Sequence, residues 1–364
     1  MQHKAITIRD VAHAAGCSVA TASRVLNNSG PVSSGARERV ESAARHLGFS
    51  FNAIGRALQS RRTKTIGCLV PSLANPVFAE AVQGAQEVVG AAGYQLLLVA
   101  SNYDQVRDND LINTLVASNV DGVIATMIKP ADSIALRQLR ARGIPLTLMF
   151  HDPQEGFCSS YVDNAEAARE VARQFARIGH RNTGFIALRF STSDRSQARY
   201  AGFLAECRAL GLPEPLLLEL SESDARNPER LVSILQNNRN LSAVFVSNDL
   251  LAIAVQKAAR LLGWRVPQDL SIAGFDGIDI GLLLDQPLAT IETLPEAMGR
   301  QAARLLLEAI SGAEVVQPPP LPFRFRAGAT LAPPARKTAT TAKAVTRPSS
   351  VHPAQVPAQT RTNR

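Results

Sequence analysis

The sequence of 364 residues has no long apolar run and only four cysteines. No stretch approaches the roughly 20 apolar residues needed to cross a bilayer, and no secretion signal opens the chain. The cysteines show no CxxC spacing, so we expect reduced thiols rather than disulfides or a metal centre. They are Cys17, Cys68, Cys158 and Cys207. These absences predict a cytoplasmic protein with no membrane partner.

The sequence also lacks the motifs of common enzymes. In "IGCLVPSLANP", Pro71 and Pro76 stand where a dinucleotide-binding loop would need glycines. No GxSxG, HExxH or Walker sequence occurs, and the six histidines have no metal-ligand spacing. We therefore expect a protein that is not an enzyme and binds neither a cofactor nor a metal.

The charge is distributed unevenly along the chain. Residues 1–64 carry ten Lys or Arg against three acids, and residues 335–364 carry six against none. Because the whole chain is +8, the segment between them has a net charge of −5. A basic head on an acidic body predicts a polyanionic partner at one end, although a merely solvated basic face is the alternative for each segment alone.

Residues 7–48 have the pattern of three short helices. Thr7 followed by Asp10 resembles a capping box, and Ser18 is a suitable N-cap for "VATASRVLN". Ser33 or Ser34 can begin a third helix, which Gly48 would end. The segment is either a helix-turn-helix that reads DNA or a small helical hairpin used for packing.

From Thr65 the hydrophobic pattern changes: short apolar runs alternate with stretches of helical periodicity. "TIGCLVP", "YQLLLVAS", "VDGVIAT" and "IPLTLMF" form a first series. "NTGFIAL", "LLLEL", "SAVFVSN" and "DLSIAGFD" form a second. Alternation of buried strands with helices predicts two doubly wound α/β subdomains. Residues 333–364 are rich in Pro, Ala, Thr and basic residues, which predicts a disordered basic tail.

In a helix-turn-helix the second helix enters the major groove. Here Ala22, Val25 and Leu26 would face inward, and Arg24 would face outward toward base edges or phosphates. Short donors suit phosphates, and small apolar side chains suit a thymine methyl. The predicted outer face comprises Val19, Ala20, Ser23 and Arg24, and the short donors suited to phosphates are Ser18, Thr21 and Ser23.

The segment "TIRDVAHAAGCSVATASRVLNNSGPVSSGARERVESAARHLGF" resembles the head of the lactose-repressor (LacI/GalR-type) family of bacterial transcription regulators. The similarity continues through "NPVFAEAVQGAQ", "VDGVI", "RYAGF", "SNDLLAIAV" and "VPQDLSIAGFD", about residues 6–332. It implies a homodimeric repressor that binds palindromic operator DNA and senses a small molecule in a core similar to periplasmic sugar-binding proteins. In that family the positions of Val19, Ala20 and Arg24 contact bases.

The resemblance also implies the domain division. Residues 1–50 would be the head, 51–64 a hinge helix and linker, and 65–332 the core. The N-subdomain would comprise about 65–161 plus 291–320, and the C-subdomain about 162–290 plus 321–332. In the tail, 333–364, no leucine heptad occurs, so we expect a dimer. The alternative is a periplasmic-type sugar-binding protein without a regulatory role.

The stretch "NAIGRALQS" matches the hinge helix of the family. The resemblance implies that Asn52 caps this helix and that Leu58 wedges into the minor groove, where an apolar side chain unstacks a base step. Gly55 stands where Ala is usual and costs about 1 kcal/mol in a helix interior. The complete set of expected DNA-binding residues is Thr7, Ser18, Val19, Ala20, Thr21, Ser23, Arg24, Asn27, Asn52 and Leu58.

Open α/β sheets bind ligands at the carboxyl ends of their strands. Asp276 ends one predicted strand, Asn248 and Asp249 end another, and Arg199 is expected at a helix start. Singly, each also suits a cap, a turn or a solvated charge. The resemblance implies that effector contacts Arg199, Asn248 and Asp276. The expected effector-binding set is Asn75, Phe78, Phe150, Arg199, Asn248 and Asp276.

Two departures from the family bear on the ligand. Phe150 and His151 stand where an acidic or amide residue followed by a basic one is frequent, so either the polar contact is missing or His151 or Asp152 supplies it. Gly277 in "GFDGIDIG" replaces a frequent second Asp, a form similar to the gluconate-repressor branch. These features favour a sugar acid or phosphorylated sugar paired with Arg199, while a neutral sugar or a purine remains open.

Overall fold

The structure is a computed structural model that describes residues 6–27, 30–49 and 62–334. Residues 6–27 and 30–49 form a three-helix head, and residues 62–334 form an α/β core built on two sheets. No helix within the described ranges is long and apolar enough to cross a membrane. The expected positions of Asn52, Gly55 and Leu58, and the tail from residue 335, lie outside the described residues.

The head contains α1 (Ile8–Ala14), α2 (Val19–Leu26) and α3 (Ser34–His46). At α1 the Thr7 backbone N–H donates to Asp10 over 2.8 Å. The Ser18 hydroxyl accepts from the Thr21 N–H, and Ser33, rather than Ser34, caps α3. The capping residues predicted for the first two helices are therefore confirmed, and each supplies an acceptor for backbone N–H groups that a helix start leaves unpaired.

A small apolar cluster holds the three helices together. Its buried members come from all three elements, so no helix of the head buries its apolar face alone. They are Val11, Ala12, Ala15, Ala22, Val25, Val40 and Ala44. The inward orientation predicted for Ala22 and Val25 is confirmed, and Leu26 packs against this cluster while half-buried.

The first sheet of the core is entirely parallel, with strand order β2-β1-β3-β4-β5. Its strands are β1 (Thr65–Val70), β2 (Gln95–Ala100), β3 (Gly122–Ala125), β4 (Leu146–Met149) and β5 (Cys158–Ser160). The helices that alternate with them are α4 (Pro76–Ala91), α5 (Gln105–Ala117) and α6 (Ile134–Ala141). Parallel strands need such crossover helices, which cover both faces of the sheet.

The second sheet has the order β11-β10-β9-β8-β6-β7 and is parallel except at its β10–β11 edge. Its strands are β6 (Thr183–Leu188), β7 (Leu216–Leu220), β8 (Ala243–Val246), β9 (Ser271–Asp276), β10 (Ala289–Glu292) and β11 (Arg324–Arg326). The helices are α7 (Asn164–Arg177), α8 (Asp194–Ala209), α9 (Glu222–Arg226), α10 (Pro228–Asn237) and α11 (Asp249–Leu261). The predicted two-sheet α/β architecture is confirmed.

The chain passes between the two sheets more than once. After β10 it forms α12 (Pro295–Ser311), which packs on α4 and on strands β3 to β5 of the first sheet. It then returns to form β11 beside β10 in the second sheet. The sequence prediction did not include strands β5, β10 and β11; β5 and β11 have only three residues each, and β11 is largely polar.

Candidate functional site

The outer face of α2 exposes the side chains predicted to read DNA. Val19, Ala20 and Arg24 are exposed, and the exposed fraction of Val19 reaches 44% although it is apolar. The hydroxyls of Ser18 and Thr21 lie 2.9 Å apart at the start of the same helix. Exposed apolar and basic side chains at the N-terminal half of a second helix suit the major groove.

Three other predicted DNA-binding residues bond within the head. The Thr7 hydroxyl donates to Asp10 over 2.7 Å, and the Asn27 amide donates to the Ser23 hydroxyl over 3.1 Å. Thr7 remains exposed, whereas Ser23 and Asn27 are half-buried. Ser23 and Asn27 therefore stabilise the C-terminal turn of α2 in addition to any contact with a phosphate.

All six residues predicted to bind effector line one cavity at the carboxyl ends of the strands. One part measures about 70 Å³, and an adjoining part that shares lining residues with it measures about 650 Å³. Asn75 and Asn248 line both parts and are also the N-caps of α4 and α11. The cavity takes residues from both sheets, as expected for a ligand site at facing strand ends.

Arg199 lies one full turn inside α8, not at a helix start as predicted, because the helix already begins at Asp194. Its guanidinium donates to the Asn164 amide oxygen over 2.9 Å and to the Ser247 carbonyl. The guanidinium carbon also stacks 3.5 Å from the centre of the Phe275 ring. Burial lowers the pKa of Arg199 to about 10, which leaves it charged at neutral pH.

Asp276 ends β9 with a φ of 115°, a backbone region that non-glycine residues rarely adopt. Its carboxylate lies 3.9 Å from Arg199 and is hydrogen-bonded by Asn75. Burial raises the pKa of Asp276 to about 6, against the opposing effect of Arg199. Backbone strain at a buried carboxylate in a cavity is typical of a binding site.

Asp249 does not line the cavity, contrary to its predicted position at the cleft mouth. It is fully buried and accepts hydrogen bonds from the backbone N–H groups of Gly277 and Ile278 at 2.8 and 2.9 Å. It also accepts from the Thr290 hydroxyl at 2.6 Å. Asp249 therefore fixes the loop that follows β9, and through it the orientation of Asp276. Burial and the charge of Asp276 raise the pKa of Asp249 to about 7.

Three aromatic side chains form one wall of the cavity. The Phe78 ring contacts Phe150 edge-on with centroids 5.2 Å apart, and Tyr103 with centroids 6.4 Å apart. Phe150 has a positive φ of 71° that turns it inward at the end of β4. The guanidinium of Arg189, from the second sheet, stacks 3.7 Å above Tyr103. Aromatic faces of this kind pack against the apolar faces of ligands.

Neither His151 nor Asp152, which could have supplied the polar contact absent at Phe150, lines the cavity. His151 is fully buried, and its Nδ1 lies 2.6 Å from the carboxylate of Asp194 in α8, which lines the cavity. The Met127 N–H donates to His151 Nε2 over 3.1 Å, which fixes the orientation of the ring. Burial opposes ionisation of Asp194, but His151 and Arg195 outweigh it and hold its pKa well below the usual value.

Eleven residues besides the six predicted ones line the cavity, and four of them have aromatic or charged side chains: Tyr103, Arg189, Asp194 and Arg195. The strand-end rule could have found Arg189, which directly follows β6. Asp194 and Arg195 open α8 after a 3₁₀ turn, Phe190–Thr192, which local patterning did not indicate. Their position depends on how the two sheets face each other.

A three-helix head with an exposed second helix, followed by two α/β sheets around a shared polar cleft, defines a class of DNA-binding regulators built on a periplasmic-type binding core. Residues 7–52 match the model of bacterial regulatory proteins, lacI family, and residues 172–331 match the periplasmic binding protein-like domain. This chain belongs to the lacI family of bacterial regulatory proteins.

Two regulators and one solved structure illustrate the similarity. The HTH-type transcriptional regulator GntR of Escherichia coli (strain K12) is 32% identical and covers 89% of this chain and 98% of its own length. The HTH-type transcriptional regulator DegA of Bacillus subtilis (strain 168) is 32% identical over 82% of this chain and 89% of its own. The transcriptional regulator CelR–cellobiose complex is 25% identical, covers 89% and 99% of the two chains, and has a TM-score of 0.66.

Proposed function

We propose that the protein is a homodimeric transcriptional repressor of the cytoplasm whose affinity for operator DNA is controlled by a sugar or sugar acid bound in the cleft. The observation that carries the proposal is the cavity lined by residues from both sheets, together with the exposed outer face of α2. The protein has no catalytic role in this proposal, in keeping with the similar proteins, which are named transcription regulators.

The DNA interface is proposed to comprise the outer face of α2 and the hinge segment. Arg24 would contact base edges or phosphate, and Val19 and Ala20 would pack on bases. Thr7, Ser18, Thr21, Ser23 and Asn27 would position the head on the phosphate backbone. Asn52 and Leu58, outside the described residues, keep their proposed roles as hinge cap and minor-groove wedge. Two-fold symmetry of the protein would match the symmetry of a palindromic operator.

The effector site is proposed to use Asn75, Phe78, Phe150, Arg199, Asn248 and Asp276. Amide, carboxylate and guanidinium groups can together satisfy hydroxyls that both donate and accept. The similar CelR structure is described as a complex with cellobiose, which supports a carbohydrate ligand for this cleft. The domain division proposed from the sequence is retained, with the head at 1–50, hinge at 51–64, core at 65–332 and tail at 333–364.

Selection from a random DNA pool with the full-length protein tests the proposal. We expect an inverted-repeat consensus, and an affinity for it that falls steeply as salt rises because bound phosphates release counterions. Adding sugars and sugar acids singly should then change the affinity for the selected site. If the selection yields no consensus sequence although the protein binds a sugar in the cleft, the protein is instead a binding protein without a regulatory role.

A further inference from the structure

The cavity holds more positive than negative side chains. Three arginines and two aspartates line it: Arg189, Arg195, Arg199, Asp194 and Asp276. Two of the arginines are engaged within the chain. Arg189 pairs with Glu222 and stacks on Tyr103. Arg199 is bound by Asn164, Ser247 and Asp276. Arg189 and the Nε and Nη1 atoms of Arg199 therefore already have partners in the chain, while Arg199 Nη2 lies 3.9 Å from Asp276.

Arg195 differs from both. Its side chain is only 11% exposed, and its Nη1 is buried without a hydrogen-bond partner among the described residues. The Asp194 carboxylate lies 3.9 Å from Arg195 Nε, too far for a hydrogen bond, and is itself bound by His151 at 2.6 Å. A buried donor on a charged group that lacks an acceptor is costly, so an acceptor from outside the chain would be bound strongly.

The surroundings of Arg195 also favour an anion. Arg195 and its neighbours Ser193, Asp194 and Ser196 line the cavity at the first turn of the 16-residue helix α8, whose N-terminus favours negative charge. The guanidinium carbon lies 5.8 Å from the centre of the Phe78 ring. Asp108 of α5 also attracts Arg195; its Oδ2 accepts from the Ile128 N–H, and its Oδ1 is buried without a hydrogen-bond partner among the described residues.

We infer that the effector carries a carboxylate or phosphate that Arg195 binds, and that Arg199 positions Asp276 rather than pairing with the anion. This inference rests on the proposed function, since it concerns the ligand of the same cleft. Asp276, Asn75 and Asn248 would then receive the hydroxyl groups of the ligand, and the Phe78 and Phe150 rings would contact its apolar face. The ligand class is a small polyhydroxylated anion.

Calorimetric titration of the full-length protein with matched probes tests this inference. The carboxylate arm uses gluconate and 2-ketogluconate, the phosphate arm uses glucose 6-phosphate and inorganic phosphate, and the neutral arm uses glucose and ribose. We expect at least one anion to bind, at least 30-fold more tightly than the neutral sugars. The arm that binds identifies whether the group is a carboxylate or a phosphate.

Two variants of Arg195 separate charge from geometry. Arg195→Gln should lower the affinity for the anion at least 30-fold and change the affinity for neutral sugars by less than 3-fold. Arg195→Lys should recover part of the lost affinity, because it keeps the charge without the guanidinium fork. Arg208→Gln is the matched control, since Arg208 lies on the same helix but is exposed and pairs with Glu214. It should not change affinity for any probe. Thermal unfolding without ligand verifies that each variant is folded.

The outcomes distinguish this inference from the proposed function. If no anion binds the unmodified protein more tightly than it binds Arg195→Gln, the inference is overturned, whether or not neutral sugars bind. If neutral sugars alone release the selected operator, the proposed function stands and the anionic class is wrong. If anions bind through Arg195 but no specific DNA site exists, the ligand assignment stands and the regulatory function fails.

Discussion

At the scale of residues, similar side chains have different roles because their partners differ. Arg199 is buried and engaged by three groups of the chain, so it stabilises the cavity wall. Arg195 is buried with an unpaired nitrogen, and Arg24 is exposed on α2. These three arginines thus differ in burial and in partners, although the residue type alone does not distinguish them.

Arg24→Ala should weaken binding to the selected operator by about 10- to 100-fold, the usual contribution of a side chain that reads a base. Affinity for random DNA should fall much less. Fluorescence anisotropy at fixed salt measures both, and Arg45→Ala, exposed on α3, serves as control. An equal loss on both DNAs would show instead that Arg24 contacts only phosphate.

The paired carboxyls of Asp249 and Asp276 should make stability depend on pH. Burial raises the pKa values of Asp249 and Asp276 in the folded protein to about 7 and about 6, above the usual value of an aspartate. The folded state therefore binds more protons, and the free energy of unfolding should decrease as pH rises from about 4 to about 7. Asp276→Asn should remove part of this decrease, on the order of 1–3 kcal/mol.

Urea denaturation at a series of pH values measures the difference between the unmodified protein and Asp276→Asn. Asp285→Asn is the control, because the side chain of Asp285 is 89% exposed. The plot of its unfolding free energy against pH should run parallel to that of the unmodified protein. Parallel curves for Asp276→Asn as well would exclude titration of Asp276 in this range.

At the scale of elements, close helix pairs fix the packing beside each sheet. A Cβ at Gly299 of α12 would meet the Ala81 carbonyl oxygen of α4 at 1.8 Å, and one at Gly84 would meet the Glu296 oxygen at 2.1 Å. A Cβ at Gly202 of α8 would likewise meet the Ala165 oxygen of α7 at 2.1 Å. These contacts involve backbone, so no side-chain rotation can relieve them.

Gly299→Ala should therefore destabilise the core by about 2–3 kcal/mol, because the two helices must separate to admit the methyl group. Gly90→Ala in α4 is the matched control, since a Cβ there meets nothing within 4 Å. It should be neutral or stabilising by up to about 1 kcal/mol, from helix propensity. Chemical denaturation compares them, and equal stability of the two variants would contradict the close packing.

At the scale of the whole molecule, the two sheets are joined across the cleft by side chains. His151, which follows β4, bonds to Asp194 of α8, and Tyr103, which follows β2, stacks on Arg189. Asn75 of α4 bonds to Asp276 of β9. These contacts favour a closed cleft. The apparent affinity of a ligand that binds only the closed form rises in proportion to the population of that form.

His151→Phe should shift the core toward an open form, because it removes the bond to Asp194 while keeping a ring of similar size. We expect a larger radius of gyration by small-angle scattering and effector binding about 5- to 30-fold weaker, consistent with usual coupling energies. His151→Asn, whose amide can still donate to Asp194, should recover part of both changes. An unchanged radius and affinity in His151→Phe would exclude this bond as a determinant of closure.

The sequence by itself determined the helices of the head, their caps and eight of the eleven described strands, because these depend on side-chain period and on hydrogen bonds between residues three or four apart. It also predicted the six residues that the structure brings together in one cavity. It could not determine that Asp249 turns away from the cavity toward Gly277. Nor did it show that Arg199 donates to two groups of the chain while Arg195 Nη1 has no acceptor among the described residues. Arg199 meets Ser247 and Asn164 from distant parts of the chain, and only tertiary packing decides which distant groups lie within hydrogen-bond range.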